Sequence, residues 1–390
     1  MTSPSAPRGW FMSSIASVNA AAWDACLPGE PESHAYYRAC EAMAERSGVG
    51  LRVGALCATD ATGVIAVAPA LWFDYRLDTP LQGRWRGLAN AVHRRFPGLL
   101  RLRVLCAGSP YGERCHLGFA PHLDAARRAA AFAALAGALA AEADRREAHV
   151  SGWKDLAAAD EKEFAPLLGA GGFARIGSLP VAVLDLSPGA EDAWLAGLSA
   201  ATRKDIRRKL AKSAAGVQIS FHTDISACEA EVEALYESTR QQSALDYGDL
   251  ETLPPGYFGA VSRALGEQAV FAFYRVDDEL AAFNLLLVGR DRVIDKFLGM
   301  RYPLARAHNL YAVSWMTNVR FCLERGLRLL QTGQTAYAAK LRFGSRLEPS
   351  VLYVRHRRAP LRWALRRLAP WLDFARHDPD LASLRNGRTP

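Results

Sequence analysis

One order of elements runs through this chain twice, and that repetition is the strongest limit on what it can fold into. In the first half a helix near Ser33–Arg46 precedes the strand Leu51–Ala58. A turn at 59–63 leads to the strand Val64–Leu71. An Arg-rich connection, a strand at Leu102–Ala107 and a long helix at Asp124–Glu147 follow. Then come a strand at His149–Trp153, a short helix around Glu161–Leu168 and Gly-Gly-Phe at 171–173. The second half places helices at Ser226–Ser243 and Gly256–Leu265. The strand Ala269–Val276 turns at Asp277–Glu279 and returns as Leu280–Val288. A strand at Arg292–Gly299, a helix at Asn309–Arg325, a strand at Leu327–Thr332 and a short helix before Phe343 complete the block. The strand runs are apolar and bounded by turn residues, whereas the helices repeat apolar positions every 3–4 residues. Two such blocks predict two mixed α/β domains, each a curved sheet flanked by helices. The join falls near Gly177–Pro188, where Pro180 and Pro188 bracket the apolar Val181–Leu186. This divides the chain into residues 1–180, residues 181–355 and a basic tail at 356–390.

A length of 390 residues fits two domains better than one core. No run of eighteen apolar residues and no charged-then-apolar leader occurs, so a cytoplasmic location is expected. The seven cysteines are widely spaced without a CxxC pair and read as reduced, mostly buried residues. The histidines at 93, 116, 122, 149 and 356 have no i, i+4 partner or nearby acid cluster, so no metal is assigned. Gly108-Ser109-Pro110-Tyr111-Gly112 lacks the order of a nucleophile elbow and reads as a tight turn.

The formal charge of +8 favours an anionic partner. It is concentrated in Leu198–Ser213, which holds Arg203, Lys204, Arg207, Arg208, Lys209 and Lys212. Ile206 and Leu210 form a narrow apolar stripe, and Ser199 and Thr202 are candidate N-caps. Such a helix docks by one edge and presents cations suited to a phosphate or pyrophosphate. A second basic segment, Pro360–Leu372, sets Leu361, Ala364, Leu365 and Leu368 on one face beside Arg362, Arg366 and Arg367, with Trp363 and Trp371 nearby. It suits packing on its own domain or a peripheral contact at the inner face of a membrane.

Four stretches in the second half carry a family resemblance. They are Gly171–Arg175 leading into the strand that ends at Leu186, the Thr202–Lys209 run, the hairpin Phe273–Phe283, and the late Gly326–Gly344 segment with Gln331, Thr332, Gly333, Tyr337 and Lys340. In order and spacing they resemble the FemAB-like, BioF2-like branch of the GNAT acyltransferases over about residues 170 to 350. The first half is similar to the diverged companion domain such proteins carry. The resemblance implies tandem GNAT-like domains and transfer of an acyl or aminoacyl group to an amine. The donor would be acyl-CoA, acetyl-CoA included, or an aminoacyl-tRNA, with no permanently bound cofactor. Relatives act on cell-envelope precursors.

The family's R/Q-x-x-G-x-G/A turn for coenzyme A is missing. Its place is taken by Arg301–Tyr311, which has no glycine. The helix start near Asn309, with Arg301, Arg306 and His308, is the expected phosphate site instead. Aminolysis requires a base for the amine and a cation or donor for the oxyanion. Asp295, mid-strand among apolar neighbours, is a candidate base. By resemblance, Lys340 stabilises the donor or oxyanion, and Tyr311 takes the position of a general-acid tyrosine. Tyr337 shares a helical face with Lys340. Gln331 and Gln334, at a strand end, are candidate acceptor contacts, with Arg203, Lys204, Arg207 and Arg208 as holders of an anionic group. The alternatives from another class are a non-catalytic nucleic-acid or tRNA-binding module and an envelope-associated scaffold. No RRM, KH or zinc-finger pattern supports the former.

Overall fold

The protein is described here by a computed structural model covering residues 6–46, 50–76, 101–242 and 253–385. The Arg-rich connection, His93, Ser243 and the final residues of the tail lie outside that set.

Two mixed sheets form. The first contains β1 (Arg8–Met12), β2 (Arg52–Asp60), β3 (Gly63–Arg76), β4 (Arg101–Ala107), β5 (Gly118–Phe119), β6 (Val150–Ala157) and β7 (Ala174–Gly177). The second contains β8 (Val181–Asp185), β9 (Gln218–His222), β10 (Ala269–Val276), β11 (Glu279–Val288), β12 (Arg292–Met300), β13 (Leu329–Gly333) and β14 (Arg346–Glu348). The repeat is visible in the pairing. In the first half β2, β3 and β4 form an antiparallel meander, and β4 then pairs parallel with β6 across the Ala125–Arg145 helix. In the second half β10, β11 and β12 do the same, and β12 pairs parallel with β13 across the Leu310–Glu324 helix. Parallel neighbours need such a crossover, whereas the antiparallel hairpin β10–β11 closes on Asp277 and Asp278, both at positive φ.

β15 (Ser350–His356) breaks the simple division. It follows β14 by one residue, yet it inserts between β6 and β7 of the first sheet. The span 181–355 drawn from sequence therefore includes a strand whose partners all belong to the first half.

The core explains why the strands read as continuous apolar runs. In β10, Phe271 and Phe273 enter a large core cluster shared with the first half. Val270, Ala272 and Tyr274 face the clusters under the Leu310–Glu324 helix. Alternate side chains are thus buried on opposite faces. The shared core joins the halves at Tyr36 and Tyr257, whose hydroxyls lie 2.9 Å apart. Among the described residues no helix is long and apolar enough to cross a membrane.

Candidate active site

β12 and β13 pair only from Arg292 to Ile294 against Leu329 to Gln331, but β12 continues to Met300. Both strands are bulged where they part: Lys296 is the extra residue against β11, and Thr332 the extra residue against β8. A cavity of about 620 Å³ opens there. Its walls include Asp295, Phe297 and Leu298 of β12, Thr332 of β13, Tyr311 and Trp315 of the Leu310–Glu324 helix, and Lys340. The first half contributes Pro110 to Glu113, Lys154 and Asp155.

The bulge sorts the side chains of β12. Lys296 and Phe297 fall on one side, with the ammonium 5.7 Å from the ring centre. Asp295 takes the other direction, where Asn284 donates to Oδ1 at 2.8 Å and Asn318 to Oδ2 at 3.0 Å. Burial pushes the Asp295 carboxyl up to about 6, against the Asn284 hydrogen bond and the Lys340 charge. Two amides thus fix a carboxyl that still exchanges its proton near neutrality.

Lys340 lies on the short helix Tyr337–Arg342, entered through Thr335 and Ala336, two consecutive non-glycine residues at positive φ. That conformation costs about 1–2 kcal/mol per residue, and such backbone gathers at functional sites. The turn is held from outside: Tyr337 donates to the Pro180 carbonyl at 2.8 Å, and Asp380 accepts from the Ala338 amide at 3.0 Å. Lys340 Nζ, on a residue 7% exposed, donates to the Gln334 carbonyl at 2.7 Å. Burial pulls its pKa down to about 8, opposed by the charges of Glu113 and Asp295. The Tyr311 hydroxyl is buried with no hydrogen-bond partner among the described residues. Burial, then the Asp295 charge, raise its pKa. An ammonium, a carboxyl and an unsatisfied phenol therefore face one largely apolar cleft, and electrostatic effects are strong in such surroundings.

Three of the four expected catalytic residues, Asp295, Tyr311 and Lys340, are brought together on this cavity. Tyr337 is not on the wall; it is fully buried and spends its hydroxyl on Pro180. Gln334 lines the cavity and donates to the Leu179 carbonyl at 2.8 Å. Gln331 sits behind the wall and donates to Glu113 at 3.0 Å.

The expected phosphate site is not assembled by its four side chains. A short helix at Leu304–Ala307 intervenes before the main helix begins at Leu310. Arg301 pairs with Glu279 at 2.9 Å. Arg306 donates to Gln242 at 3.1 Å and covers the Tyr302 ring. The His308 carbonyl accepts from Ser213 at 2.6 Å, and Asn309 reaches the Ser213 hydroxyl at 3.4 Å from a left-handed conformation. None of the four lines the cavity.

The basic helix forms at Ala200–Ser213 with Ser199 as its N-cap, and Ile206 docks it on the cluster that contains Trp315. Its charges are partly internal: Asp205 holds Arg208 at 2.7 Å, Lys209 at 2.8 Å and Arg342 at 3.0 Å. Lys209 and Arg208 keep the Asp205 carboxyl down at about 2. Arg203 turns back to the Leu198 carbonyl, and Lys204 and Arg207 are exposed. Arg203, Lys204, Arg207 and Arg208 do not touch the cavity.

Glu113 is the residue that sequence reasoning missed. The Gly108–Gly112 turn delivers it from the first half, and its carboxylate accepts from Gln331 and from the Gln334 amide at 3.3 Å. Gly333, at φ +82°, makes room: a Cβ there would fall 2.3 Å from Glu113 Oε1. Asn284 and Asn318 were missed as well; the signal that could have found them is an amide inside an otherwise apolar element.

His116 also differs from expectation. Its Nε2 lies 3.3 Å from Glu32 and 3.5 Å from Glu30, residues remote in sequence. Each carboxylate also carries a cation, Lys296 on Glu32 at 2.6 Å and Arg292 on Glu30. The group is an ion-pair network between the halves.

Comparison with known proteins places this geometry. Residues 200–341 match the family model "Acetyltransferase (GNAT) domain", from the basic helix to just past Lys340. Two Mycobacterium tuberculosis proteins named "Putative 8-amino-7-oxononanoate synthase 2" are 30% identical over 125 residues, 31% of this chain and 16% of theirs. The chain therefore spans about a sixth of the length of these curated relatives.

Among solved structures, FemX superposes with a TM-score of 0.60 at 12% identity, covering 90% of this chain and 98% of that one. The "C-terminal Domain (DUF2156) of Putative Lysylphosphatidylglycerol Synthetase" from Agrobacterium fabrum gives 0.54 at 13% identity, covering 89% and 95%. A "Tandem GNAT protein from the clavulanic acid biosynthesis pathway" gives 0.50 at 14% identity, covering 90% and 98%. The chain has a tandem GNAT-like fold, and its residues 200–341 are similar to the GNAT acetyltransferase domain.

Proposed function

We propose that the protein is an N-acyltransferase of the FemAB-like, BioF2-like kind, moving an acyl or aminoacyl group from acyl-CoA or aminoacyl-tRNA to an amine of a cell-envelope precursor. One observation carries this reading: Asp295 and Lys340, both shifted toward neutrality, face the same cavity where β12 and β13 separate.

In the step proposed, the amine nitrogen attacks the donor's carbonyl carbon. A C–N bond forms and the C–S or C–O bond to the donor breaks. The Asp295 carboxylate takes the proton lost by the amine. Lys340 faces the oxygen on which negative charge develops. The Tyr311 hydroxyl protonates the departing thiolate or alkoxide and is reprotonated from Asp295 through solvent. No covalent enzyme intermediate is required. The open edge of β12 beyond Ile294 offers backbone groups to an extended donor. The lysylphosphatidylglycerol synthetase named for one structural neighbour supports an aminoacyl donor. The GNAT domain match supports acyl-CoA. A purely nucleic-acid-binding role gives no use to the buried Asp295–Lys340 pair.

The test is amine-dependent breakdown of acetyl-CoA and of aminoacyl-tRNA by the purified chain, with a panel of soluble polyamines as acceptors. Turnover that Lys340→Met abolishes without changing the melting curve supports the reading. No amine-dependent turnover with either donor contradicts it.

A further inference from the structure

The segment that follows β15 leaves large apolar side chains exposed. The helix Ala359–Leu368 docks by Leu365, with Ala369 just beyond it, on Ala174 and Ile176. Leu361 and Leu368, one turn to either side of Leu365 on the same face, stay exposed, Trp363 projects from the opposite side, and the chain continues with Trp371, Leu372 and Phe374, all exposed. Trp363 is 63% and Trp371 72% exposed. Single exposed apolar residues are ordinary, but six within fourteen positions, two of them tryptophan, are not.

The charge around them has one sign. Residues 351–372 contain six arginines and no aspartate or glutamate. The nearest acid, Asp373, turns inward against Gly177 and caps the Ala375 amide at 2.9 Å. Exposed tryptophan and leucine interleaved with arginine, Arg367 lying over the Trp363 ring at 5.3 Å, is the composition of a segment lying in the interface of an anionic bilayer. A second copy of the chain is a poor occupant, because a symmetric contact would set these arginines against their own counterparts with no carboxylate between them.

The patch adjoins the catalytic cavity. Phe374 belongs to both: it is half exposed and lines the cavity. A few residues on, Asp380 caps the turn that carries Lys340.

We propose that residues 359–374 dock on an anionic lipid surface and hold the mouth of the cavity at the headgroup level, so that the acceptor is membrane-borne. This rests on the acyltransfer reading for the identity of the cavity.

The test uses the full chain in flotation with vesicles of phosphatidylcholine alone and of phosphatidylcholine with about 30% phosphatidylglycerol. Native protein floats with the anionic vesicles only, and added salt weakens binding. The double variant Trp363→Ser/Trp371→Ser loses affinity at least about tenfold with an unchanged melting curve, and it keeps its turnover of a soluble amine. Absence of flotation, equal binding to both vesicles, or binding unaffected in the variant overturns the proposal. So does a native dimer that the variant converts to monomer. If soluble-amine turnover persists in any of those cases, only the membrane proposal falls; if turnover is absent from the native protein, the acyltransfer reading falls.

Discussion

Lys296 Nζ and Glu32 Oε1 meet at 2.6 Å across 264 positions of sequence, with side chains only 2% and 1% exposed. The same bulge that sends Lys296 to this contact sends Asp295 toward Asn284 and Asn318. The strand that carries the candidate base is therefore fixed to the first half at the next residue.

Breaking that pair leaves a buried charge without its partner. Lys296→Met or Glu32→Gln alone is expected to cost about 3–5 kcal/mol, measured by urea unfolding. The double variant should lose less than the sum, since neither charge is then stranded. Glu30, in the same network, has a depressed pKa: burial raises it, but His116 and Arg292 outweigh burial. Its contribution to stability is present above the usual glutamate value of about 4.3 and is lost as pH falls through the lower native value. Arg292→Met should flatten that acid limb.

The rate of acyl transfer should follow a bell in pH. Asp295 must be ionised to accept the amine's proton, so the rate rises through about 6. Lys340 must be protonated to face the oxyanion, so it falls through about 8. These are limbs of a coupled pair. Asp295→Asn should remove the acid limb along with most of the rate. Lys340→Arg should move the alkaline limb upward. A profile flat from pH 5 to about 9 would exclude both assignments.

Stability also responds to Lys340. Its native pKa lies below that of a free lysine, so the folded state loses its proton first. Unfolding free energy attributable to this group should rise between pH 8 and about 10.4, and that increment should vanish in Lys340→Met.

The Asp380 cap gives a fourth expectation. Asp380→Ala removes the acceptor for the Ala338 amide and should cost about 0.5–2 kcal/mol. Because the cap holds the turn that bears Lys340, kcat should fall more than KM rises. An unchanged kcat would make the contact purely structural.

Much of this was legible from the chain. Asp295 was visible as a lone carboxylate in an apolar strand, and the Asp277–Asp278 turn as hairpin chemistry. What was not legible depends on distant parts of the sequence. β15 enters the first sheet because its partners are β6 and β7, nearly two hundred positions earlier in the chain. Glu113 reaches the cavity only because Gly333 yields space to it. Arg301 and Arg306, set near a phosphate by the family resemblance, lie against partners far from them in sequence that spacing does not show, Glu279 for the first and Gln242 for the second. The basic helix matches the family, yet Asp205 draws Arg208 and Lys209 to itself.

The most direct measurement is amine-dependent release of the donor's leaving group by native, Lys340→Met and Asp295→Asn proteins, with acetyl-CoA and aminoacyl-tRNA compared side by side. With whichever donor the native protein uses, both variants should lose at least about a hundredfold in kcat while their melting curves stay intact. Native-like turnover in either folded variant would remove that residue from the chemistry, and native-like turnover in both would move the active site elsewhere in the molecule.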